Sequence, residues 1–349
     1  GIDTEQEYLQ SVLQRAADNN IAVDLLISPH YFPTFVLSED SSYAHGGSGF
    51  GGGGVEWYKT RIKQVMSEYI NALVPVVARY PSLVSICITN EPMFNLMYSD
   101  KSISRPLWAK WLEEKYTNIA FLNDKYNGGY SSFNSVPIPK GITQTPLFYD
   151  WKEFNEELFA DWHEGMAEQI KALAPNIKVH AKIVDYLSRY DSDYEEKFML
   201  AGTDAKLFSD FSDVHGNDAH AYLESGHMYR LQSKLEWYDY LSTIAEKPIH
   251  NSEDHIIMDR SKIYSDNQAV HVAADIWQGA IHGRSSTTAW VYDRTYDESS
   301  LLSDSLLDRP DVVAAIGKTN LDLNRLAPQV TALQNVNADV GVIFQTASR

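Results

Sequence analysis

The chain has 349 residues, more than the roughly 100 to 200 residues of one typical domain, so we expect two domains or one large α/β unit. Its hydrophobic content of 44% and charged content of 22% are typical of a folded globular protein and exclude a mainly disordered chain. Asp and Glu outnumber Lys and Arg by 47 to 29, giving a formal net charge of −18. Because such a surface repels phosphates, the sequence predicts no nucleic-acid partner and no anionic membrane surface.

The only cysteine, Cys87, lies in the apolar run 84–88. A single cysteine cannot form an intrachain disulfide or a cysteine zinc site, and we expect its side chain to be buried. No stretch reaches the ~18 to 20 apolar residues of a membrane span. The first residues, 1–3, carry neither an initiator Met nor a signal segment, so we expect a piece of a longer protein. The compartment stays open, since secreted enzymes can also lack disulfides.

Predicted helices and strands alternate along the chain. Predicted helices cover 5–19, 56–79, 107–116, 151–173, 192–201, 230–245, 266–283 and 311–326, while predicted strands cover 21–28, 83–89, 178–183, 211–215, 248–252, 287–292 and 338–344. A glycine-rich segment, 44–54, predicts a loop, because no phosphate-binding glycine motif lies between a strand and a helix there. A polar, tyrosine-rich insertion covers 93–147.

The six β/α units before residue 310 predict a parallel sheet, either an open doubly wound sheet or an incomplete (β/α)8 barrel. Ionisable or aromatic residues follow nearly every predicted strand. They are His30 and Tyr31, Asn90 and Glu91, Asp185 and Tyr186, the segment 215–220, Glu253 and His255, and Trp290 and Asp293. In a barrel these positions meet at one mouth, where such enzymes keep their chemistry, so the pattern favours the barrel.

Glu91 and Glu253 stand at the ends of two predicted parallel strands. Two carboxyl groups that face each other across a pocket suit cleavage of a glycosidic bond, because one can protonate the leaving oxygen while the other attacks the anomeric carbon or activates water. Asn90 can hydrogen-bond a substrate hydroxyl, and Trp290 offers a flat apolar face for a sugar ring. The other tryptophans have helical spacing and predict core or subunit contacts; they are Trp57, Trp108, Trp111, Trp151, Trp162, Trp237 and Trp277.

The segment Ile88-Thr89-Asn90-Glu91-Pro92 resembles the asparagine–glutamate signature of the clan A glycoside hydrolases, and the order of segments resembles glycoside hydrolase family 42, the β-galactosidase family. The matching segments are 28–33, 78–81, 150–154 and 247–253. The resemblance implies a retaining, exo-acting β-glycosidase without a cofactor, with Glu91 as acid/base, Glu253 as nucleophile and Asn90 on the 2-hydroxyl. It also implies an oligo- or polysaccharide substrate and a homotrimer.

Three departures from the family qualify this resemblance. The family's cysteine zinc cluster cannot form with Cys87 alone, and the glycine loop replaces an arginine-rich segment. Alignment makes 21–28 barrel strand three, so the expected fold is a (β/α)8 TIM barrel that lacks strands one and two in this chain, and the rest of the protein is expected to supply them. We expect residues 1–309 to form the catalytic barrel, and 310–349 a linker helix and the first strand of a flavodoxin-like domain.

Polar residues on the predicted sixth barrel strand add candidates for substrate binding. We expect Asn217, Asp218 and His220 to bind sugar hydroxyls or to be buried hydrogen-bonded groups, and Tyr222 to contact the nucleophile as a strand-six tyrosine does elsewhere in the clan. His30, His250 and His255 suit rim or core positions, and His30 is also a candidate ligand of the sugar. The segment 215–220 with His180 and Asp293 faintly resembles metal-dependent amidohydrolase barrels, but no H-x-H pair is present and no metal is expected.

The sequence leaves the substrate open among several β-linked sugars. The alternatives are an endo-acting enzyme or another β-glycosidase, of the agar or carrageenan type, a β-mannosidase or a β-glucosidase. Two further alternatives are a metal-dependent hydrolase barrel and a non-catalytic carbohydrate-binding barrel. The binding barrel needs neither Glu91 nor Glu253, so the presence of both at strand ends favours the enzyme.

Overall fold

The computed structural model describes residues 2–28, 32–43, 56–93, 101–185, 201–224, 227–229, 231–257, 267–293, 305–334, 336 and 339–341. The chain divides into two compact units. The first contains the described residues within Gly1–Ile177 and Asp191–Phe211, and the second contains those within Lys178–Tyr190 and Ser212–Phe344. Among the helices of these described ranges, none is both long and apolar enough to cross a membrane.

The first unit contains two parallel strands and most of the helices. Its elements are α1 (Ile2–Asp18), β1 (Val23–Leu26), α2 (Thr34–Leu37), α3 (Thr60–Val77), β2 (Leu83–Asn90), α4 (Lys101–Tyr116), α5 (Ile119–Tyr126), α6 (Pro146–Leu173) and α7 (Ala205–Phe211). Strand β1 pairs in parallel with β2, with Leu26 opposite Cys87. Cys87 is buried, as the sequence predicts, whereas Leu26 is 42% exposed.

The second unit is built on a four-stranded parallel sheet. Its elements are β3 (Lys178–Val184), β4 (His215–Asp218), β5 (Tyr222–Glu224), β6 (His227–Tyr229), α8 (Leu231–Ile244), β7 (Ile249–Asp254), α9 (Gln268–Ile281), β8 (Arg284–Ala289) and α10 (Pro310–Gln334). The sheet has the order β3-β4-β7-β8, and β5 and β6 form a separate antiparallel hairpin. All four sheet strands therefore end at the same edge, which brings their last residues together.

Helix α6 organises the core of the first unit. It begins where the Thr145 side chain accepts a hydrogen bond from the backbone N–H of Phe148, with a proline in the first turn. Its buried face contains Phe159 and Trp162, whose rings lie 5.4 and 5.3 Å from that of Trp57. Trp57, Trp108, Trp151, Trp162 and Trp237 are all buried, in agreement with the core role predicted for them. Trp111 and Trp277 are half-buried.

The insertion before α6 is anchored by one buried carboxylate. Asp150 is 3% exposed and accepts hydrogen bonds from the hydroxyls of Tyr116 and Tyr126, both at 2.6 Å, and from Lys115 Nζ at 3.0 Å. The insertion contains two helices rather than the single helix predicted, because Asn118 caps α5 by accepting from the backbone N–H of Ala120. A buried acid can remain in place when several donors satisfy it.

Two strand predictions were misplaced. The strand predicted at 211–215 begins only at residue 215, and residue 211 is the last residue of α7. Helix α7 starts after Asp204, whose Oδ1 accepts hydrogen bonds from two backbone N–H groups. The predicted strand at 287–292 begins three residues earlier, because Gly283 takes a φ of +97° and ends the preceding helical segment. Trp290 therefore follows β8 directly. The predicted loop 44–54 and helix 192–201 lie outside the described residues apart from Ala201, as does most of 338–344.

Candidate active site

Asn90 and Glu91 lie at the carboxyl end of β2 in the first unit. Asn90 is the last residue of the strand and is half-buried, as is Glu91. Glu91 has a φ of +44°, in the left-handed region that non-glycine residues rarely adopt. Pro92 follows and is buried. Because backbone strain of this kind is concentrated at functional sites, this conformation is consistent with the prediction that Glu91 acts chemically.

A buried histidine holds the end of β2 against α6. His163 and Thr89 are both 0% exposed, and Thr89 Oγ1 lies 2.9 Å from His163 Nε2. The other ring nitrogen, Nδ1, lies 2.8 Å from the carbonyl oxygen of Phe159. A carbonyl only accepts, so in a neutral ring Nδ1 carries the proton and Nε2 accepts from the Thr89 hydroxyl. Sequence reasoning missed this pair, which immediately precedes Asn90 and Glu91.

Glu253 lies near the end of β7 in the second unit, and two basic residues contact its carboxylate. The residue is 9% exposed. Its Oε2 accepts a hydrogen bond from Lys182 Nζ on β3, and its Oε1 lies 3.1 Å from His255 Nε2, which donates to it. The backbone N–H of Glu253 donates to Asn251 Oδ1 at 3.3 Å. The surroundings therefore fix both oxygens and the backbone of Glu253.

Asp218 and His220 lie beside this carboxylate. Asp218 ends β4 and is 0% exposed, and its Oδ1 lies 2.6 Å from His220 Nε2, which donates to it. The rings of His220 and His255 have centroids 4.1 Å apart, and His255 Nε2 is 3.9 Å from Asp218 Oδ1. Trp290 stacks on His255 with a centroid distance of 5.7 Å and an interplanar angle of 27°. His255 thus contacts Glu253, His220 and Trp290.

The remaining predicted site residues have other environments. Asn217 is 0% exposed, and its side-chain amide donates to the carbonyl oxygen of His250 at 3.1 Å, which links β4 to β7. Its role as a sugar ligand stays a prediction. Tyr222 begins β5, and its side chain lies outside the part that the structure describes, while His30 lies outside the described residues altogether.

Lys182 was not among the residues predicted for the site, and His255 was predicted to lie at the barrel mouth in a rim or core position, without a contact to Glu253. A signal for Lys182 is present in the sequence of β3, where His180 and Lys182 alternate with Val179, Ala181 and Ile183. Alternate residues of a strand face opposite sides of the sheet, so a buried strand with polar residues at every second position predicts a polar face.

Asp218, His220 and His255 could also hold a metal ion, since their ligand atoms lie within 4.8 Å of one another. Two imidazoles and one carboxylate form a donor set that Zn²⁺ accepts. In the structure both histidine Nε2 atoms donate to carboxylates, His220 to Asp218 and His255 to Glu253. The metal-dependent alternative therefore has a defined set of residues, which a chelation experiment can test.

Comparison with known proteins identifies the family. The family model of glycoside hydrolase family 42, described as beta-galactosidase, matches residues 5–238. The chain belongs to glycoside hydrolase family 42. A protein of Thermococcus kodakarensis named exo-beta-D-glucosaminidase is 28% identical over 106 residues, which cover 26% of this chain and 13% of that protein.

Solved structures of the family have the same fold. The apo exo-carrageenase of family 42 from Bacteroides ovatus superposes with a TM-score of 0.77 at 20% identity and covers 96% of this chain and 49% of that chain. A family 42 β-galactosidase from G. stearothermophilus has a TM-score of 0.74 at 14% identity and covers 98% of this chain and 52% of that chain. The chain thus spans about half the length of these proteins, and its parallel α/β fold corresponds to part of a family 42 TIM barrel.

Proposed function

We propose that this family 42 chain carries the catalytic groups of a retaining, exo-acting β-glycosidase that removes terminal β-galactosyl residues. The observation that carries the proposal is the environment of Glu253. Its nearly buried carboxylate accepts from Lys182 and His255, and hydrogen bonds of this kind favour the ionised form that a nucleophile needs. The family model's description supports the galactosyl specificity.

In the proposed mechanism Glu253 and Glu91 act in two steps. An oxygen of Glu253 attacks the anomeric carbon, and the bond from that carbon to the leaving oxygen breaks with its electron pair as the leaving oxygen takes the Glu91 proton. Water then attacks the same carbon and gives a proton to Glu91, and the electron pair of the sugar–Glu253 bond returns to Glu253. No cofactor takes part in either step.

Asn90 and Trp290 are the proposed substrate contacts at the two strand ends. The side chain of Asn90 can bind the 2-hydroxyl of the sugar, an interaction that strengthens in an oxocarbenium-like transition state. The Trp290 ring offers an apolar face for the sugar ring, and its backbone N–H donates to the carbonyl oxygen of Asp254 at 2.9 Å. Asp218 and His220 are the proposed ligands of further hydroxyls.

The test is hydrolysis of a panel of nitrophenyl β-glycosides by the complete protein and by its Glu253→Ala and Glu91→Ala variants. We expect release from the β-galactoside, an almost complete loss in Glu253→Ala, and a loss in Glu91→Ala that is small for acidic leaving groups and large for basic ones. Equal loss of Glu91→Ala activity on good and poor leaving groups would contradict its role as the acid.

Added azide gives a second readout that reports stereochemistry. In a retaining enzyme, azide that replaces water on the glycosyl-enzyme of Glu91→Ala yields a β-glycosyl azide, whereas azide that replaces the missing nucleophile in Glu253→Ala yields the α-product. Release of a different glycone, such as β-glucosaminide or a carrageenan oligosaccharide, would change the substrate but keep the mechanism. Loss of activity on chelation, with Glu253→Ala active, would favour the metal-dependent alternative.

The oligomeric state is part of the same proposal. Family membership supports a homotrimer, which light scattering of the complete protein would test. A monomer in solution would contradict it and leave the catalytic assignment unaffected.

A further inference from the structure

Lys182 contacts Glu253 but has no role in either step of the proposed mechanism. Its side chain is 4% exposed, and its Nζ donates to Glu253 Oε2, whose side chain is 11% exposed. It reaches Glu253 from β3, whereas Glu253 lies on β7 with β4 between them in the sheet. A buried lysine that crosses a neighbouring strand to contact a carboxylate requires compensation for the removal of both charges from water.

The other titratable groups of the second unit that face Glu253 do not supply the same charge. Asp218 on β4 has a carboxylate oxygen within 4.8 Å of a Glu253 oxygen, which adds like-charge repulsion. His255 donates to Glu253 Oε1 and His220 donates to Asp218, and neither imidazole has to be charged in order to donate. Among the described residues of this unit, Lys182 is thus the lysine or arginine that donates to Glu253.

We propose that Lys182 is a positioning residue of the glycosidase centre, which holds the Glu253 carboxylate in place before attack and stabilises it again as the leaving carboxylate. This inference rests on the proposed role of Glu253 as nucleophile. When Glu253 forms the ester with the anomeric carbon it loses its charge, and the Lys182 ammonium then faces a neutral group in a site with little water. The ester is destabilised relative to the free enzyme, so its hydrolysis, in which the electron pair returns to Glu253, is favoured.

Two measurable consequences follow for Lys182→Met. Without the ammonium, burial and Asp218 both disfavour the charged form of Glu253, so the acidic limb of the kcat/KM–pH profile moves to higher pH by about one unit or more. The carboxylate also becomes a poorer leaving group. Hydrolysis of the glycosyl-enzyme therefore slows more than its formation, and a dinitrophenyl glycoside gives a larger burst, with the covalent adduct visible by mass spectrometry.

The experiment compares Lys182→Met, Lys182→Gln and Lys182→Arg with wild type in the complete protein. We expect both neutral variants to move the acidic limb and Lys182→Arg to leave it near its wild-type position, because arginine keeps the positive charge. Lys152→Met is the matched control, since Lys152 is another buried lysine, with a 9% exposed side chain that is paired with Glu156. It tests whether removing any buried lysine shifts the profile, and we expect an unmoved limb.

The possible outcomes separate this inference from the proposed function. If wild type cleaves no β-glycoside, or if Glu253→Ala stays active, the assignment of Glu253 fails. If wild type is active, Glu253→Ala is inactive, and the neutral Lys182 variants lose activity equally at every pH, then Lys182 has only a structural role and the inference is wrong. If Lys182→Met does not fold, as judged by circular dichroism, Lys182→Gln decides by the same criterion. A limb moved by Lys182→Arg as far as by Lys182→Gln would also overturn the inference.

Discussion

Asp254, the last residue of β7, forms a buried ion pair with Arg284, the first residue of β8. Arg284 Nη1 lies 2.6 Å from Asp254 Oδ2, and both side chains are at most 2% exposed. Lys234 Nζ joins them by contacting Asp254 Oδ1 at 2.5 Å and Asp275 Oδ1 at 2.8 Å. Burial opposes ionisation of Asp254, but the charges of Lys234 and Arg284 outweigh it and lower the pKa of that carboxyl. The two basic side chains compensate the charges of the two acidic ones. Their contacts hold Asp254, the neighbour of Glu253, in place.

Removal of one member of this network should destabilise the protein strongly. Lys234→Met leaves the buried Asp254 and Asp275 sharing one cation, Arg284, so we expect the free energy of unfolding to fall by about 3 to 5 kcal/mol. Urea denaturation followed by circular dichroism measures the change. The matched control is Lys206→Met, which removes an exposed lysine from its i, i+4 pair with Asp210 and should change stability by less than about 0.5 kcal/mol. Equal effects of the two variants would contradict a role for burial.

A side chain at Gly279 should destabilise the protein, because a Cβ atom there would lie 2.6 Å from Arg284 Cζ. The ion pairs hold that guanidinium, so it cannot move aside, and we expect Gly279→Ala to cost about 1 to 3 kcal/mol. Gly317 lies in helix α10, where an added Cβ would have no described atom within 4 Å apart from its chain neighbours and the nearby backbone of its own helix, so Gly317→Ala should stabilise by about 0.5 to 1 kcal/mol. Thermal melting of the two variants should therefore show shifts of opposite sign.

The sequence predicts the order of elements well, because β/α periodicity is a local property. The segments around Glu91 and Glu253 end strands β2 and β7 as expected. Local signals failed near 211–215. The capping carboxylate of Asp204 starts a helix that includes residue 211, and the strand begins only at residue 215.

The partners of the site residues could not be predicted from the sequence. Lys182 and Glu253 are 71 positions apart in the chain, and Thr89 and His163 are 74 apart, so these contacts depend on how neighbouring elements pack. Spacing along one strand shows which residues share a face, but the residue that reaches them from another strand depends on register. The same limit applies to the network of Lys234, Asp254, Asp275 and Arg284.

The hydrogen bond between Thr89 and His163 should stabilise the end of β2. Thr89→Val keeps the shape of the side chain but leaves the buried Nε2 of His163 without its donor, so we expect a loss of about 1 to 3 kcal/mol. A double-mutant cycle with His163→Phe should give a coupling energy of about 0.5 to 3 kcal/mol. The control is Thr243→Val, which removes a threonine hydroxyl from an exposed position of a helix and should have little effect on stability. Additive effects of the two buried substitutions would show that the bond contributes nothing.

Glu156 should make the stability of the protein fall as pH rises from about 4.5 to 7. Burial raises the pKa of this carboxyl from 4.5 to about 7, despite the attraction of Lys152. The folded state therefore binds more protons than the unfolded state in this interval, so unfolding becomes easier as pH increases. A difference of roughly 2.5 pKa units corresponds to about 3 kcal/mol, which favours folding at low pH and is lost as pH rises through the folded-state pKa.

Urea denaturation at several pH values should show this slope in wild type and a flatter one in Glu156→Gln, whereas Glu168→Gln, an exposed substitution on the same helix, should keep the wild-type slope. Parallel curves for wild type and Glu156→Gln would exclude Glu156 as the titrating group, whatever constant stability difference the substitution causes through Lys152.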